Sequence, residues 1–267
     1  MLRGLGKLRC LKLNVKRFYS KLQYISDIHL EYRDGIVEIP RCGKHLALLG
    51  DIGNPYKDNY FNFLKYVSQR WETVLLLSGN HEYWNEKYNY NEIDNRISEL
   101  SSYFGNIHYL NNSNYQLGEY IVLGSTLWSN ILKQPDTIMG DDLNIRHNGE
   151  LITITHLNEL HKTAVNWLTN EINKSEKPTI VLTHHLPSYQ MIHQNFYGNK
   201  YEKYHDRFAS HLNYLIKHPV KYWLCGHSHI VLEKEINGII CGINAYGYPR
   251  HSNIKKDDEI IRYVTLQ

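Results

Sequence analysis

No stretch of this sequence approaches the roughly 18 consecutive apolar residues that a membrane-spanning helix requires, which excludes an integral membrane protein built on such spans. Cysteine is scarce. Cys10, Cys42, Cys225 and Cys241 show neither a CxxC nor a zinc-finger spacing. Cys225 and Cys241 sit in apolar, strand-like runs, where a reduced, buried thiol in a reducing compartment is the expectation. Internal repeats, low-complexity blocks and Pro/Gly-rich linkers are also missing, so nothing divides the chain. Acidic residues are absent from the first 21 positions, which carry Arg3, Lys7, Arg9, Lys12, Lys16, Arg17 and Lys21.

That local absence changes how the net charge of +3 is read. Removing those seven from the 30 basic residues leaves 23 against 27 acidic ones, a net of −4 for the remainder. The basic character belongs to an arm, and the mildly acidic body is a poor candidate for polyanion binding through global charge. The arm ends Arg17-Phe18-Tyr19-Ser20, which resembles a mitochondrial presequence. However, Leu11, Leu13 and Val15 alternate with Lys12, Asn14 and Lys16, which suits a strand equally. An arm over residues 1–21 and one domain over residues 22–267 are expected. The expected location is cytoplasmic, or the mitochondrial matrix if residues 1–20 act as a presequence.

At 267 residues the chain can bury about three quarters of its unfolded surface, enough for a core without staples. Its 42% hydrophobic and 21% charged residues rule out disorder as the dominant state. Apolar runs predict strands at Leu22–Ser26, His45–Gly50, Thr73–Leu77, Thr179–Thr183 and Tyr222–Cys225. Helical spacing predicts helices through Phe61, Leu64, Val67 and Trp71 (capped by Asp58 or Asn59), through Tyr90 to Phe104 (closed by Gly105), through Leu160 to Leu168, and through Tyr204 to Leu215. Hairpins are expected at Gly118-Glu119 and Asn237-Gly238, and a last strand over Ile260–Leu266. The polar stretch from Ser129 to Thr153 has no period and is long for a plain connection, so it is expected to be a lid or substrate loop. Alternating strands and helices predict one α/β domain.

Each of the five strands runs into potential metal ligands: Asp27-Ile28-His29; Asp51; Gly79-Asn80-His81-Glu82; His184-His185; and Gly226-His227-Ser228-His229. The carboxyl ends of strands form the ligand-binding crevice of open α/β sheets. A lone histidine at a strand end is usually structural, and the chain has 16 histidines. Five strands delivering Asp, Asn and His to one rim, three of them through a glycine that permits close approach, exceed what chance supplies.

In the order DxH, GD, GNHE, THH and GHxH, these motifs resemble the calcineurin-like metallophosphoesterase superfamily. The stretches Tyr24–Glu31, Leu49–Gly53, Ser78–Trp84, Gly124–Trp128, Val181–Pro187 and Asn244–Pro249 extend the resemblance to a compact group common in bacteria. The resemblance implies a four-layer α-β-β-α sandwich of two mixed sheets flanked by helices, with the site at strand C-terminal ends. It further implies a dinuclear-metal-dependent phosphohydrolase acting on phosphomonoesters or phosphodiesters through a metal-bound hydroxide. One divalent transition-metal ion would take Asp27, His29, Asp51 and His229, and the other Asp51, Asn80, His184 and His227. Imidazole with oxygen suits Mn²⁺ (the first choice), Fe, Zn²⁺ or Co²⁺.

His81 is implied as the general acid, not a ligand. Many relatives hold that histidine with an aspartate where this chain has Asn54, whose amide could orient the ring but not stabilise an imidazolium. His185, Arg146 and Tyr246 are candidate substrate contacts. His147 beside Arg146 could also reach phosphate, and Trp84 could wall the pocket. The expected partner is a phosphate ester; no membrane is expected, nor nucleic acid as a tight partner. A nuclease, a protein phosphatase with the same centre, and a non-catalytic scaffold on this fold are the alternatives.

Overall fold

Uninterrupted apolar pentads are what strands buried on both faces require, and they build the centre of this molecule. The structure, a computed structural model, describes residues 20–132, 140–198, 200–249 and 261–266. The basic arm, apart from Ser20 and Lys21, lies outside the described residues, and with it the alternating Leu11–Val15 segment.

In chain order, β1 (Ser20–Ile25), β2 (His45–Leu49), α1 (Asp58–Ser68), β3 (Thr73–Leu77), α2 (Tyr90–Ser102) and β4 (Ile107–Tyr109) form the first half. There follow β5 (Ser113–Leu117), β6 (Tyr120–Ser125), α3 (Gly140–Asn144), β7 (Arg146–His147), β8 (Glu150–Leu151) and α4 (Ile154–Lys174). The chain closes with β9 (Thr179–Thr183), β10 (Val220–Cys225), β11 (Val231–Ile236), β12 (Ile239–Asn244) and β13 (Tyr263–Leu266). One sheet has the order β13-β1-β2-β3-β4 and the other β11-β12-β10-β9-β6-β5. The inner strands of both are parallel, with registers Leu22↔His45 and Val181↔Trp223, whereas β13, β11 and β5 are antiparallel. Both sheets are mixed.

Alternation along each strand sorts the side chains into three apolar layers. Leu46, Leu48, Val74 and Leu76 face Phe63, Leu64, Ile93 and Ile97 of α1 and α2. Their neighbours Ala47, Leu49, Leu75 and Leu77 face Ile180, Leu182 and Leu224 of the other sheet. On the far side Val181 and Trp223 pack on Ala164, Leu168 and Ile172 of α4. The four-layer α-β-β-α sandwich is therefore observed. Truncating a central residue such as Phe63, which has no exposed surface, would cost about 3–5 kcal/mol.

Several local expectations are corrected. Tyr204 to Leu215 is not an α-helix: two 3-10 turns, Glu202–Arg207 and Asn213–Leu215, stand there. The backbone N–H groups of Ser210 and Leu212 donate to Leu186 and Pro187 (3.1 and 2.9 Å), diverting them from helical partners. α1 is preceded by Lys57, whose side chain has no acceptor to cap it; the expected caps Asp58 and Asn59 lie inside the helix, where Asn59 Nδ2 donates to the Leu30 carbonyl (2.7 Å). α2 ends at Ser102, short of Gly105. α4 is longer than its apolar pattern marked, beginning at a Thr153 cap that accepts from His156 N. The stretch between Ser129 and Thr153 holds α3 and the β7–β8 pair, with residues 133–139 outside the described residues. Asn237 and Gly238 both have positive φ (53° and 77°), as a type I′ hairpin demands. Among the described residues no helix is long and apolar enough to cross a membrane.

Candidate metal centre

The loops leaving β1, β2, β3, β9 and β10 meet at one edge of the sandwich, where each must turn sharply to stay there. Asp27, His29, Asp51, His227 and His229 all adopt left-handed backbone conformations, with φ of 55°, 52°, 53°, 67° and 52°. They account for half of the ten non-glycine residues with positive φ among the described residues, a conformation that costs energy and clusters at functional sites. Inter-loop bonds hold it: Asp27 N to Gly50 O (3.0 Å), His29 N to Asp51 O (2.9 Å) and Gly226 N to His184 O (3.0 Å). Glycine is required where these loops touch. A Cβ on Gly50 (φ +85°) would sit 2.6 Å from His184 Nδ1, and one on Gly226 2.6 Å from Ser26 Oγ.

Glu82 is the clamp, and the sequence reading assigned it no role. Fully buried, it accepts backbone N–H groups from Asp51 (2.9 Å), Ile52 (2.7 Å) and Gly79 (2.7 Å). Burial and the adjacent Asp51 charge push its carboxyl up to about 7, against the downward pull of those donors.

Two clusters share Asp51. Ligand atoms of Asp27, His29, Asp51 and His229 lie within 4.8 Å of one another, as do those of Asp51, His184 and His227. Asn80 joins the second cluster, its Oδ1 lying 3.1 Å from His184 Nε2. Asp27 also accepts the His227 N–H (3.0 Å) and the Ser26 hydroxyl.

The polarity of these contacts identifies what the clusters fit. His184 Nδ1 faces the Leu49 carbonyl (2.8 Å), which can only accept, so the proton is on Nδ1 and the neutral ring turns a lone pair outward from Nε2. That lone pair meets Asn80 Oδ1 and, at 3.4 Å, Asp51 Oδ2. The Asn80 amide cannot flip to relieve this, because its Nδ2 donates to Asp141 Oδ1 (2.8 Å). Likewise His29 Nδ1 donates to Glu31 Oε1 (2.9 Å), leaving Nε2 facing His229 Nε2 at 3.0 Å and Asp51 Oδ2 at 3.7 Å. Around His184 three acceptors converge, its own Nε2, Asn80 Oδ1 and Asp51 Oδ2, and a cation among them satisfies all three. Without a metal that cation is a proton: burial opposes charge on His184, yet the Asp51 carboxylate more than offsets it and raises the imidazole to about 9. The donor set therefore fits divalent ions.

His81 stands at the edge of this centre, stacked on Trp84 with ring centroids 3.7 Å apart. Its backbone N–H donates to Asp51 Oδ1 (2.8 Å) and its Nδ1 faces Glu31 Oε1 (3.1 Å). Its Nε2 meets the Tyr248 hydroxyl at 3.1 Å. Burial lowers the ring's basicity, but Asp51 and Glu31 outweigh it and the net direction is upward. Asn54 does not hold the ring; its Oδ1 accepts from Tyr56 N (2.9 Å) and closes a local turn.

The cleft in front has a volume of about 510 Å³ and is lined by Asp51, Asn80, His81, Tyr246 and His229, among others. His185 lies behind it, fully buried, 4.2 Å from the His227 ring; burial and the His184 charge push it down to about 3. Arg146 is turned away from the cleft, donating to the Glu86 carbonyl (2.7 Å), and His147 pairs with His156. The cation that does line the cleft is Arg207, bound to Asp142 at 2.8 Å. A larger groove of 610 Å³ beside α4, reaching Tyr189 and His211, contains none of the ligand side chains.

Comparison with known proteins agrees with this geometry. The family model described as calcineurin-like phosphoesterase matches residues 21–231. An uncharacterized protein of Acanthamoeba polyphaga mimivirus is 33% identical over 262 residues, covering 87% of this chain and 92% of that protein. Among solved structures, the phosphopantetheinyl hydrolase PptH from Mycobacterium tuberculosis superposes with a TM-score of 0.69 at 15% identity, covering 91% of this chain and 95% of that one. TT1561 of Thermus thermophilus superposes with a TM-score of 0.55 at 12% identity, covering 93% and 100%. At such identities these structures speak for the fold alone. Sequence match, two-sheet sandwich and converging Asp, Asn and His side chains agree, and the chain belongs to the calcineurin-like phosphoesterase family.

Proposed function

We propose that the protein is a metal-dependent phosphohydrolase that cleaves phosphomonoesters or phosphodiesters at a pair of divalent transition-metal ions. Asp27, His29, Asp51 and His229 would hold one ion and Asp51, Asn80, His184 and His227 the other. The observation that carries this reading is the meeting of acceptors at His184 Nε2, Asn80 Oδ1 and Asp51 Oδ2, locked in place by the Leu49 carbonyl and Asp141. Divalent ions bound there would supply Lewis-acid polarisation of a phosphoryl oxygen and a hydroxide nucleophile at neutral pH. Mixed imidazole and oxygen donors favour Mn²⁺, Fe, Co²⁺ or Zn²⁺ over Ca²⁺, with Mn²⁺ the first assay metal.

The chain's own groups do the remaining work. His81 holds a proton at Nε2, at the cleft face, and passes it to the leaving-group oxygen, a role typically contributing ~10²–10⁴ in rate. Trp84 fixes its ring plane by stacking, and Tyr246 and Tyr248 line the cleft. Asp141, through Asn80 Nδ2, keeps the amide oxygen turned inward. The net charge of −4 beyond the arm favours a small or medium phosphate ester over tightly held duplex nucleic acid. The free thiols of Cys42, Cys225 and Cys241 suit a reducing, cytoplasmic setting.

Metal analysis together with turnover of bis(p-nitrophenyl) phosphate tests the proposal. Turnover should vanish on chelation and return with Mn²⁺. Failure to bind transition metal, or turnover indifferent to chelation, refutes it. A panel of mono-, di- and cyclic phosphates then sorts the substrate class.

A further inference from the structure

We propose that Glu31 is a positioning residue shared by a metal ligand and the proton donor: one carboxylate oxygen takes the Nδ1–H of His29 and of His81 together, and so turns His29 Nε2 toward Asp51 and His229 and leaves His81 Nε2 at the cleft. The inference rests on the hydrolase reading above for its meaning, though its geometry stands apart from it. Glu31 Oε1 lies 2.9 Å from His29 Nδ1 and 3.1 Å from His81 Nδ1. All three side chains are shielded, at 18%, 0% and 5% exposure, and the two rings meet edge to face at 4.5 Å.

The local fold explains how Glu31 gets there. His29, left-handed at φ 52°, opens a 3-10 turn over Leu30–Tyr32. That turn curls the chain back, so the side chain two residues on returns to its own imidazole. His81 arrives from the loop after β3, tied by its backbone to Asp51.

A carboxylate oxygen only accepts, so each nitrogen facing it must carry the hydrogen. For His29 this leaves the Nε2 lone pair for an ion. For His81 it means that a proton leaves from Nε2 while Nδ1–H stays bonded to Glu31. The other groups at the His81 ring do not compete for Nδ1. Tyr248 meets Nε2, Trp84 stacks on the face, and the Asp141 carboxylate is occupied by Asn80 and Trp84. Asn54 is committed to Tyr56. A carboxylate thus supports His81 from the loop after β1 instead of the loop after β2.

Long-range ¹H–¹⁵N spectra of the metal-free protein, taken where the imidazoles are neutral, report the tautomers directly, and Zn²⁺ titration reports the metal site. Wild type should show His29 and His81 as Nδ1–H forms. Glu31→Ala should move His81 toward the Nε2–H form and weaken Zn²⁺ binding by ~10–100-fold, the usual loss for a partner of a ligating histidine. Glu31→Gln keeps an acceptor oxygen in the same place and should retain the wild-type tautomers. A merely structural Glu31 would destabilise both variants without changing any tautomer. Unchanged tautomers and Zn²⁺ affinity in Glu31→Ala, or the same losses in Asn54→Ala, overturn the proposal while the hydrolase reading stands. If wild type binds neither Zn²⁺ nor Mn²⁺, Fe or Co²⁺, the hydrolase reading falls, and the tautomers of the metal-free chain still decide the role of Glu31.

Discussion

Raising the pH of the metal-free protein should cost it stability, chiefly through one buried imidazole. His184 has no exposed surface, and its Nδ1 is committed to the Leu49 carbonyl. Burial disfavours its charge, but Asp51 at 3.4 Å, aided by Asp27, reverses that and lifts the ring from 6.5 to about 9. The folded chain then keeps a proton that the unfolded chain releases. That stabilisation is complete below pH 6.5 and disappears as the pH rises through about 9. At about 1.36 kcal/mol per pH unit, the shift corresponds to about 3 kcal/mol.

Two other buried groups act mainly outside this window. Glu82, raised from 4.5 to about 7, loses its contribution as pH rises through that lower range. His185, pushed down to about 3 by burial and the His184 charge, destabilises the fold as pH falls below 6.5. Urea unfolding of chelator-treated protein at pH about 7 and about 9 should therefore show the loss, with His81, whose basicity is also raised, adding in the same direction. With Zn²⁺ bound the cation takes the proton's place, so stability over the same interval should stay level or rise. Equal stability of the metal-free protein at the two pH values refutes this account, as does an identical fall with Zn²⁺ present.

Three further outcomes are expected. Asp51→Asn should lower metal content in both clusters together and abolish turnover, since Asp51 belongs to each; a purified variant that keeps two ions and normal activity contradicts the shared ligand. His81→Ala should retain metal yet slow esters of poor leaving groups by ~10²–10⁴, while p-nitrophenyl esters suffer much less, as a plot of rate against leaving-group pKa will report. Gly50→Ala meets both a left-handed φ of +85° and a Cβ contact of 2.6 Å with His184 Nδ1, and should cost about 3 kcal/mol by thermal unfolding; a change near zero means the two loops are not in contact.

What was legible in the sequence was local in origin. An apolar pentad fixes a strand buried on both faces, and the glycine and ligand that follow it fix where that strand stops and what it delivers. Asp27, His29, Asp51, Asn80, His184, His227 and His229 could therefore be placed on one rim from spacing and resemblance together. Tyr204 to Leu215 misled because its apolar spacing matches a helix, while its backbone donors are taken by Leu186 and Pro187. Arg146 misled because charge in an irregular segment carries no direction.

The polar partners around the rim were not legible. Glu31 meets His81 across 50 positions, Asp141 meets Asn80 across 61, Asp142 meets Arg207 across 65 and Tyr248 meets His81 across 167. Periodicity and propensity describe a chain over one or two turns, and no such rule links two loops. Only the stacking of the two sheets, which sets the loops after β1, β3 and β12 and helix α3 side by side, decides which carboxylate each imidazole finds.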